Sequence, residues 1–155
     1  MNKNNTFERT DSKNSYFISL VKKLDSHLLI VNGKANSFFK EFNTIEDLQY
    51  VIVAYFNEIP IGCGALKVYN SEVLEVKRMY VLPEYRGNKI AENLLLNLEE
   101  WAIELNYKYC MLETGIQMKA AVLLYQKMGY SEISKYGQYV NVENSICFKK
   151  ELNKN

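Results

Sequence analysis

The stretch Arg78-Met79-Tyr80-Val81-Leu82-Pro83-Glu84-Tyr85-Arg86-Gly87-Asn88-Lys89-Ile90-Ala91 gathers the groups in this chain best suited to chemistry. A strand-like apolar run ends at Pro83, a short loop containing Gly87 follows, and an amphipathic helix begins. Free amides at a helix N-terminus, with the positive end of its dipole, suit a phosphate. Gly87 would let a ligand approach the backbone closely, and Arg86 and Lys89 add positive charge. Lys89 in the first helical turn opposes the dipole by roughly a few tenths of a kcal/mol. A bound polyanion would reverse that sign. The same residues also fit an ordinary strand–loop–helix connection with a solvated lysine. Neither G-x-x-x-x-G-K-[ST] nor the glycine pattern of a dinucleotide fingerprint occurs.

Other chemistries have little to work with. His27 is the single histidine, which argues against a His-based metal site or a catalytic triad. Cys63, Cys110 and Cys147 are odd in number and lack metal-site or redox spacing, so they read as reduced core thiols. Lys plus Arg number 19 against 18 Asp plus Glu, a net charge of +1, so no overall field draws the chain to nucleic acid or to an anionic membrane. No apolar run approaches the ~20 residues of a membrane span. Met1–Asn5 is polar and lacks the apolar segment of a signal peptide, which makes the cytoplasm the expected location. With 155 residues, 48% hydrophobic and 24% charged, the expectation is one domain with an ample core and fraying polar tails.

The elements that would position the loop follow from periodicity. Thr6–Thr10 reads as a short strand. Phe17, Leu20, Val21 and Leu24 recur at i, i+3, i+4, i+7, one face of a helix that Asp11 or Asn14 would cap. Phe38, Phe39 and Phe42 suggest a second short helix. Tyr50–Phe56 is a continuous β-rich run, expected to be covered on both faces. Asn57-Glu58 turns it into Ile61–Tyr69, where Gly62 and Gly64 suggest a bulge or close backbone approach. Asn70-Ser71 turns again into Val73–Leu82, completing an antiparallel meander. Ile90, Ala91, Leu94, Leu95, Leu98, Trp101, Ala102 and Leu105 form one helical stripe, stopped by Asn106. Tyr107–Glu113 reads as a strand. Residues 117–128 read as a helix with Gly129 behind it and a Thr114/Gln117 capping box. Ser131–Tyr139 and Ser145–Lys150 read as a final hairpin. The whole is an α+β fold with a mixed sheet.

Two segments together resemble a known family. Arg86-Gly87-Asn88-Lys89-Ile90-Ala91 resembles motif A of the GNAT superfamily of N-acetyltransferases, Gln/Arg-x-x-Gly-x-Gly/Ala. Ala121-Val122-Leu123-Leu124-Tyr125-Gln126-Lys127-Met128-Gly129-Tyr130 resembles its A-x-x-L-Y-x-K-x-G-F/Y signature. The element order matches from about Thr6 to Leu152. Two positions depart: Lys89 replaces the usual glycine, and Met118 replaces an asparagine often found seven residues before the helix tyrosine.

The resemblance implies a GNAT-like fold, mostly antiparallel with splayed central strands, and acetyl-CoA as co-substrate with no metal. The amides of Arg86, Gly87, Asn88, Lys89, Ile90 and Ala91 would hold the pyrophosphate. The Met79-Tyr80-Val81 edge would pair with the pantetheine arm, beside the splay from Tyr107–Glu113. The Val81 or Tyr80 amide would polarise the thioester carbonyl, and Met118 or Gln117 would meet the pantetheine. Transfer would go directly to a primary amine of a small molecule, peptide or protein. Tyr125 is the expected proton donor to the leaving thiolate, beside the sulfur. Glu113 is the expected base and Glu75 the second candidate, although Glu75 fits a pairing with Lys77 equally well. Cys110 lacks a histidine to activate it as a nucleophile. Tyr136-Gly137-Gln138-Tyr139 is expected to be a turn with packed tyrosines rather than an acceptor lining. A homodimer is allowed. The alternatives are a non-catalytic acyl-CoA-binding module and a plain interaction domain.

Overall fold

The computed structural model describes residues 4–32 and 47–153. The expected helix at Phe38, Phe39 and Phe42 lies outside them. Within them the order is β1 (Asn5–Thr10), α1 (Ser15–Asn32), β2 (Tyr50–Phe56), β3 (Ile59–Val68), β4 (Val73–Val81), α2 (Ile90–Glu104), β5 (Tyr109–Gly115), α3 (Lys119–Lys127), β6 (Ser131–Ile133) and β7 (Ser145–Glu151). The strands form a seven-stranded sheet in the order β1-β2-β3-β4-β5-β7-β6. Every neighbouring pair is antiparallel except β4 and β5. The expectation of an α+β fold with a mixed, mostly antiparallel sheet therefore holds.

The meander forms because its turns are cheap. Asn57 and Glu58 take φ values of 48° and 70°, the left-handed pair that a two-residue hairpin between twisted strands requires. Alternate residues of β2 then serve opposite faces. Val51 and Val53 pack with Phe17, Leu20, Val21 and Leu24 of α1. Ile52 and Ala54 pack with Leu94, Leu95 and Leu98 of α2. The run is apolar throughout because helices cover it from both sides. Asn14, not Asp11, caps α1: its Oδ1 accepts from the amides of Tyr16 (2.9 Å) and Phe17 (3.0 Å). Asn106, with φ of 70°, ends the connection after α2 as its type predicts.

Several boundaries differ from the sequence reading. The fifth strand begins at Tyr109 rather than Tyr107, because the Tyr107 amide is still bonded to Ala102 at the end of α2 (3.0 Å). It runs on to Gly115, so Thr114 is a strand residue. The Thr114/Gln117 capping box does not form, and α3 starts after Met118 with no side-chain cap. The last hairpin is short. Only Ser131–Ile133 pairs with β7, and Gly137–Tyr139 coils into a 3-10 turn.

The central feature is a bulge in β4. Cys63 pairs with Tyr80 and Ala65 with Lys77, so Gly64 faces two residues, Arg78 and Met79. Arg78 takes a left-handed φ of 60° there. The extra residue exchanges faces along the strand. A regular strand would put Met79 with Glu75 and Lys77, and Tyr80 with Val76. Instead Met79 and Val81 join Val76 against the α2 core, and Tyr80 joins the α1 side. Both glycines in β3 serve this crowding: a Cβ on Gly62 would lie 2.9 Å from the Tyr80 carbonyl oxygen, and one on Gly64 2.7 Å from the Met79 sulfur. The first obstacle is backbone and the second a pliable side chain. Gly62→Ala should therefore cost about 1–3 kcal/mol of stability. Gly64→Ala should cost less, as equilibrium urea denaturation of the two variants would show.

Candidate active site

Strands β4 and β5 run parallel and pair over three residues only, Val73–Glu75 with Tyr109–Met111. β5 is paired with β7 on its other edge along its whole length, Tyr109 to Gly115 with Glu151 to Ser145, so beyond Met111 it has β7 alone as a neighbour. Among the described residues the outer edge of β4 from Val76 to Val81 has no strand partner. The direction of its amides follows from the ladder to β3. The Leu82 amide donates to the Ile61 carbonyl (2.8 Å). In an antiparallel ladder the residues facing the partner alternate, so Tyr80 faces β3 and the Val81 amide points into the opening. Of the two expected polarising amides, Val81's is thus the one directed at the splay. The Val81 carbonyl accepts from Arg86 Nε (2.9 Å).

Two cavities open along this edge. The larger, about 730 Å³, is a groove between β4, the loop after it, the start of α2, and α3. Met79, Tyr80, Val81, Arg86, Gly87, Lys89, Ile90, Ala91, Met118 and Tyr125 line it, ten of the eleven residues expected to bind the cofactor. The exception is Asn88, whose side-chain amide holds the loop by donating to the Tyr85 and Arg86 carbonyls (3.1 and 3.4 Å). The Arg86 amide is also occupied, donating to the Pro83 carbonyl at 3.2 Å. The amides of Ile90 and Ala91 precede the first intrahelical bond, that of Asn93 to Lys89. Gly87 (φ 83°) and Lys89 (φ 62°) both take left-handed conformations, which fold the loop into a concave rim. A Cβ on Gly87 would meet nothing within 4 Å, so its backbone angle, and not crowding, calls for glycine there. Lys89 occupies the same kind of position with a side chain, which costs roughly 1–2 kcal/mol of backbone strain. Across the groove mouth Lys127 bonds Glu92 at 2.9 Å, and His27, Lys119 and Gln117 add polar lining.

The smaller cavity, about 130 Å³, is a chamber under α1. It holds Glu75, Glu113, Lys77, Arg78 and Tyr139 among apolar residues that include Leu24 and Leu28. Leu24, Met79, Met118, Ala121 and Tyr125 line both cavities, so Tyr125 belongs to the wall that the two share. Tyr125 is 6% exposed, its ring edge-on to Tyr130 at 5.8 Å. Burial, and then the charge of Glu113, pushes its phenol well above the usual range. Burial pushes the Glu113 carboxyl up to about 7, partly offset by a hydrogen bond from Ser145 Oγ (2.6 Å) and by Lys77. Glu75 accepts from the Tyr136 hydroxyl at 2.7 Å. The Tyr136–Tyr139 turn is a packed cluster as expected, with rings 5.4 Å apart, yet Tyr139 also reaches the chamber. Cys110 is fully buried and pushed up to about 12, an inert thiol.

Sequence reasoning did not mark Leu24, Leu28, Lys77 or Arg78 as site residues. Leu24 belongs to the α1 core stripe, and Leu28, one turn further, gave the only hint. By sequence Lys77 reads only as a partner for Glu75 and Arg78 only as the start of the loop-bearing stretch, because a strand pattern cannot foresee a bulge.

Comparison with known proteins fits this architecture. The model of the acetyltransferase (GNAT) family matches residues 20–130. An IAA acetyltransferase from Azospirillum brasilense is 26% identical over 152 residues, 96% of this chain and 99% of that protein. A Klebsiella pneumoniae chain assigned as an acyl-CoA N-acyltransferase superposes with a TM-score of 0.81 at 26% identity, covering 96% of this chain and 98% of its own. A GNAT family acetyltransferase from Elizabethkingia anophelis, solved with acetyl-CoA bound, shares the fold with a TM-score of 0.70 at 20% identity, covering 97% and 99%. Both motifs lie in the matched segment, one on the groove rim and the other on the wall between the cavities. The chain belongs to the GNAT family of acetyltransferases and is an acyltransferase.

Proposed function

We propose that this protein moves an acetyl group from acetyl-CoA directly to a primary amine, with Tyr125 as general acid and Glu113 as general base. The observation that carries this reading is the place of Tyr125, on the wall shared by an amide-rimmed groove and a carboxylate-bearing chamber. The groove suits the co-substrate. The free amides of Ile90 and Ala91 and the side chains of Arg86 and Lys89 would hold its pyrophosphate. The unpaired β4 edge would take the pantetheine amides, and the Val81 amide would stabilise the oxyanion that develops on the thioester carbonyl.

The chamber suits the acceptor. An ammonium must lose a proton before it attacks, and Glu113, raised to about 7, accepts one at neutral pH. Amine nitrogen attacks the thioester carbon, the carbon–sulfur bond breaks, the thiolate takes the Tyr125 proton, and the second proton of the acylated nitrogen restores the phenol. The upward shift of Tyr125 keeps that proton on the phenol until it is needed. Glu75, engaged by Tyr136, supports the charge of the incoming amine instead of taking its proton. Family membership favours this reading over the two non-catalytic alternatives.

Tyr125→Phe should lower kcat by about 10²- to 10⁴-fold with the KM for acetyl-CoA little changed. Continuous detection of released thiol with an amine panel would show this, and unchanged turnover would remove Tyr125 from the mechanism. Wild-type kcat/KM for the amine should rise with pH through an apparent pKa of about 7, and this limb should vanish in Glu113→Gln. The same shift works against the fold. A carboxyl raised from 4.5 to about 7 stabilises below 4.5, and that contribution fades as pH climbs to about 7. Glu113→Gln should flatten that decline in urea titrations at pH 5 and 8. Gly87→Ala should leave the core intact yet weaken acetyl-CoA binding, seen as a smaller thermal shift at fixed ligand concentration.

A further inference from the structure

The chamber wall that carries Glu75 and Glu113 also carries Lys77 and Arg78. The Arg78 side chain is 3% exposed. A guanidinium presents five N–H donors. Among the described residues Arg78 makes one side-chain hydrogen bond, from Nη1 to Asp25 Oδ1 at 2.9 Å. Arg78 lines the chamber together with Lys77, Glu75, Glu113 and Tyr139, so its guanidinium belongs to a wall that also carries both carboxylates. The pair is lopsided: the cation is buried, while Asp25 is 35% exposed and has water to compensate it. Burial lowers the Arg78 pKa, and Asp25 only partly restores it. Lys77 lies within electrostatic reach of Glu75, Glu113 and Arg78, so acidic and basic groups surround one space. Such a fork of donors matches a carboxylate better than a neutral carbonyl, since a charged acceptor strengthens each bond.

We infer that the acceptor is an aminocarboxylate, its amine presented to Glu113 and Tyr125 and its carboxylate held by Arg78. This rests on the amine-acceptor reading above and narrows it, setting aside plain alkylamines and the lysines of proteins. The carboxylate takes no part in bond making. The amine nitrogen gains the acetyl carbon as the carbon–sulfur bond breaks; Glu113 takes one ammonium proton, Tyr125 protonates the thiolate and is reprotonated by the acylated nitrogen, and CoA leaves as the thiol.

The test is a panel of matched acceptors with acetyl-CoA and the wild-type chain: amino acids against their methyl esters, and ω-aminocarboxylates against alkylamines of equal length. The carboxylated member of a pair should have a kcat/KM about 10- to 100-fold higher. A simple alkanoate lacking an amine should compete with the acceptor and not with acetyl-CoA. Arg78→Gln should bring the members of each pair to the same kcat/KM. Equal rates within the wild-type pairs, no competition by alkanoates, or a preference that survives Arg78→Gln would each overturn the inference. Should Arg78→Gln fail to fold, the alkanoate competition with the wild-type chain decides. If neither member of any pair reacts while acetyl-CoA still raises the melting temperature, the amine-acceptor reading itself fails. Turnover of plain amines alone sinks only the carboxylate.

Discussion

Backbone amides and carbonyls inside a protein must find partners, and a sheet normally supplies them strand by strand. At the middle of this sheet the supply stops. After three paired residues β4 and β5 part, β5 staying paired with β7 on its other edge, and among the described residues the outer edge of β4 is left open. The groove, the chamber and the position of Tyr125 between them all follow from that opening. A sheet that kept β4 and β5 paired to their ends would close both cavities.

The surrounding structure keeps the opening in place. The Arg78 bulge sends Met79 and Val81 toward α2 and Tyr80 toward α1, so each flank of the strand has its own core. Asp25 ties α1 to the bulge through Arg78, across the roof of the chamber. On the far side, buried Glu99 accepts from the Tyr130 hydroxyl and from Lys150, both at 2.8 Å. Tyr130 in turn packs edge-on to Tyr125. Breaking such a buried pair leaves an uncompensated charge, which typically costs about 3–5 kcal/mol. The phenol at the junction therefore rests on a stiff backing of rings and ion pairs.

Electrostatics divides the labour between the two cavities. The groove rim carries amides, the helix start and a left-handed Lys89, an arrangement that would suit a polyanion. The chamber is of mixed sign, and there burial lifts Glu113 to about 7. Neither shift needs an unusual residue. The same glutamate on an exposed strand would titrate as an ordinary carboxylate.

Local chemistry was legible in the residues themselves. Unbroken apolar runs gave the covered strands, the three-four spacing gave α1 and α2, and Gly87 beside Pro83 marked the loop at the groove rim. The motif spacing singled out Tyr125 among 12 tyrosines. Those features are written in near neighbours, where sterics and side-chain period act over a few residues. The facing of β4 was not legible, because one inserted residue inverts a period-two pattern and nothing local marks Arg78 as left-handed. The Thr114/Gln117 cap failed for a similar reason: pairing with β7 held Thr114 in a strand against its capping tendency. The meeting of Asp25 with Arg78, of Tyr136 with Glu75, and of Glu113 with Ser145 spans 53, 61 and 32 residues. Such contacts depend on how layers stack and where strands part, and only the folded sheet could decide them.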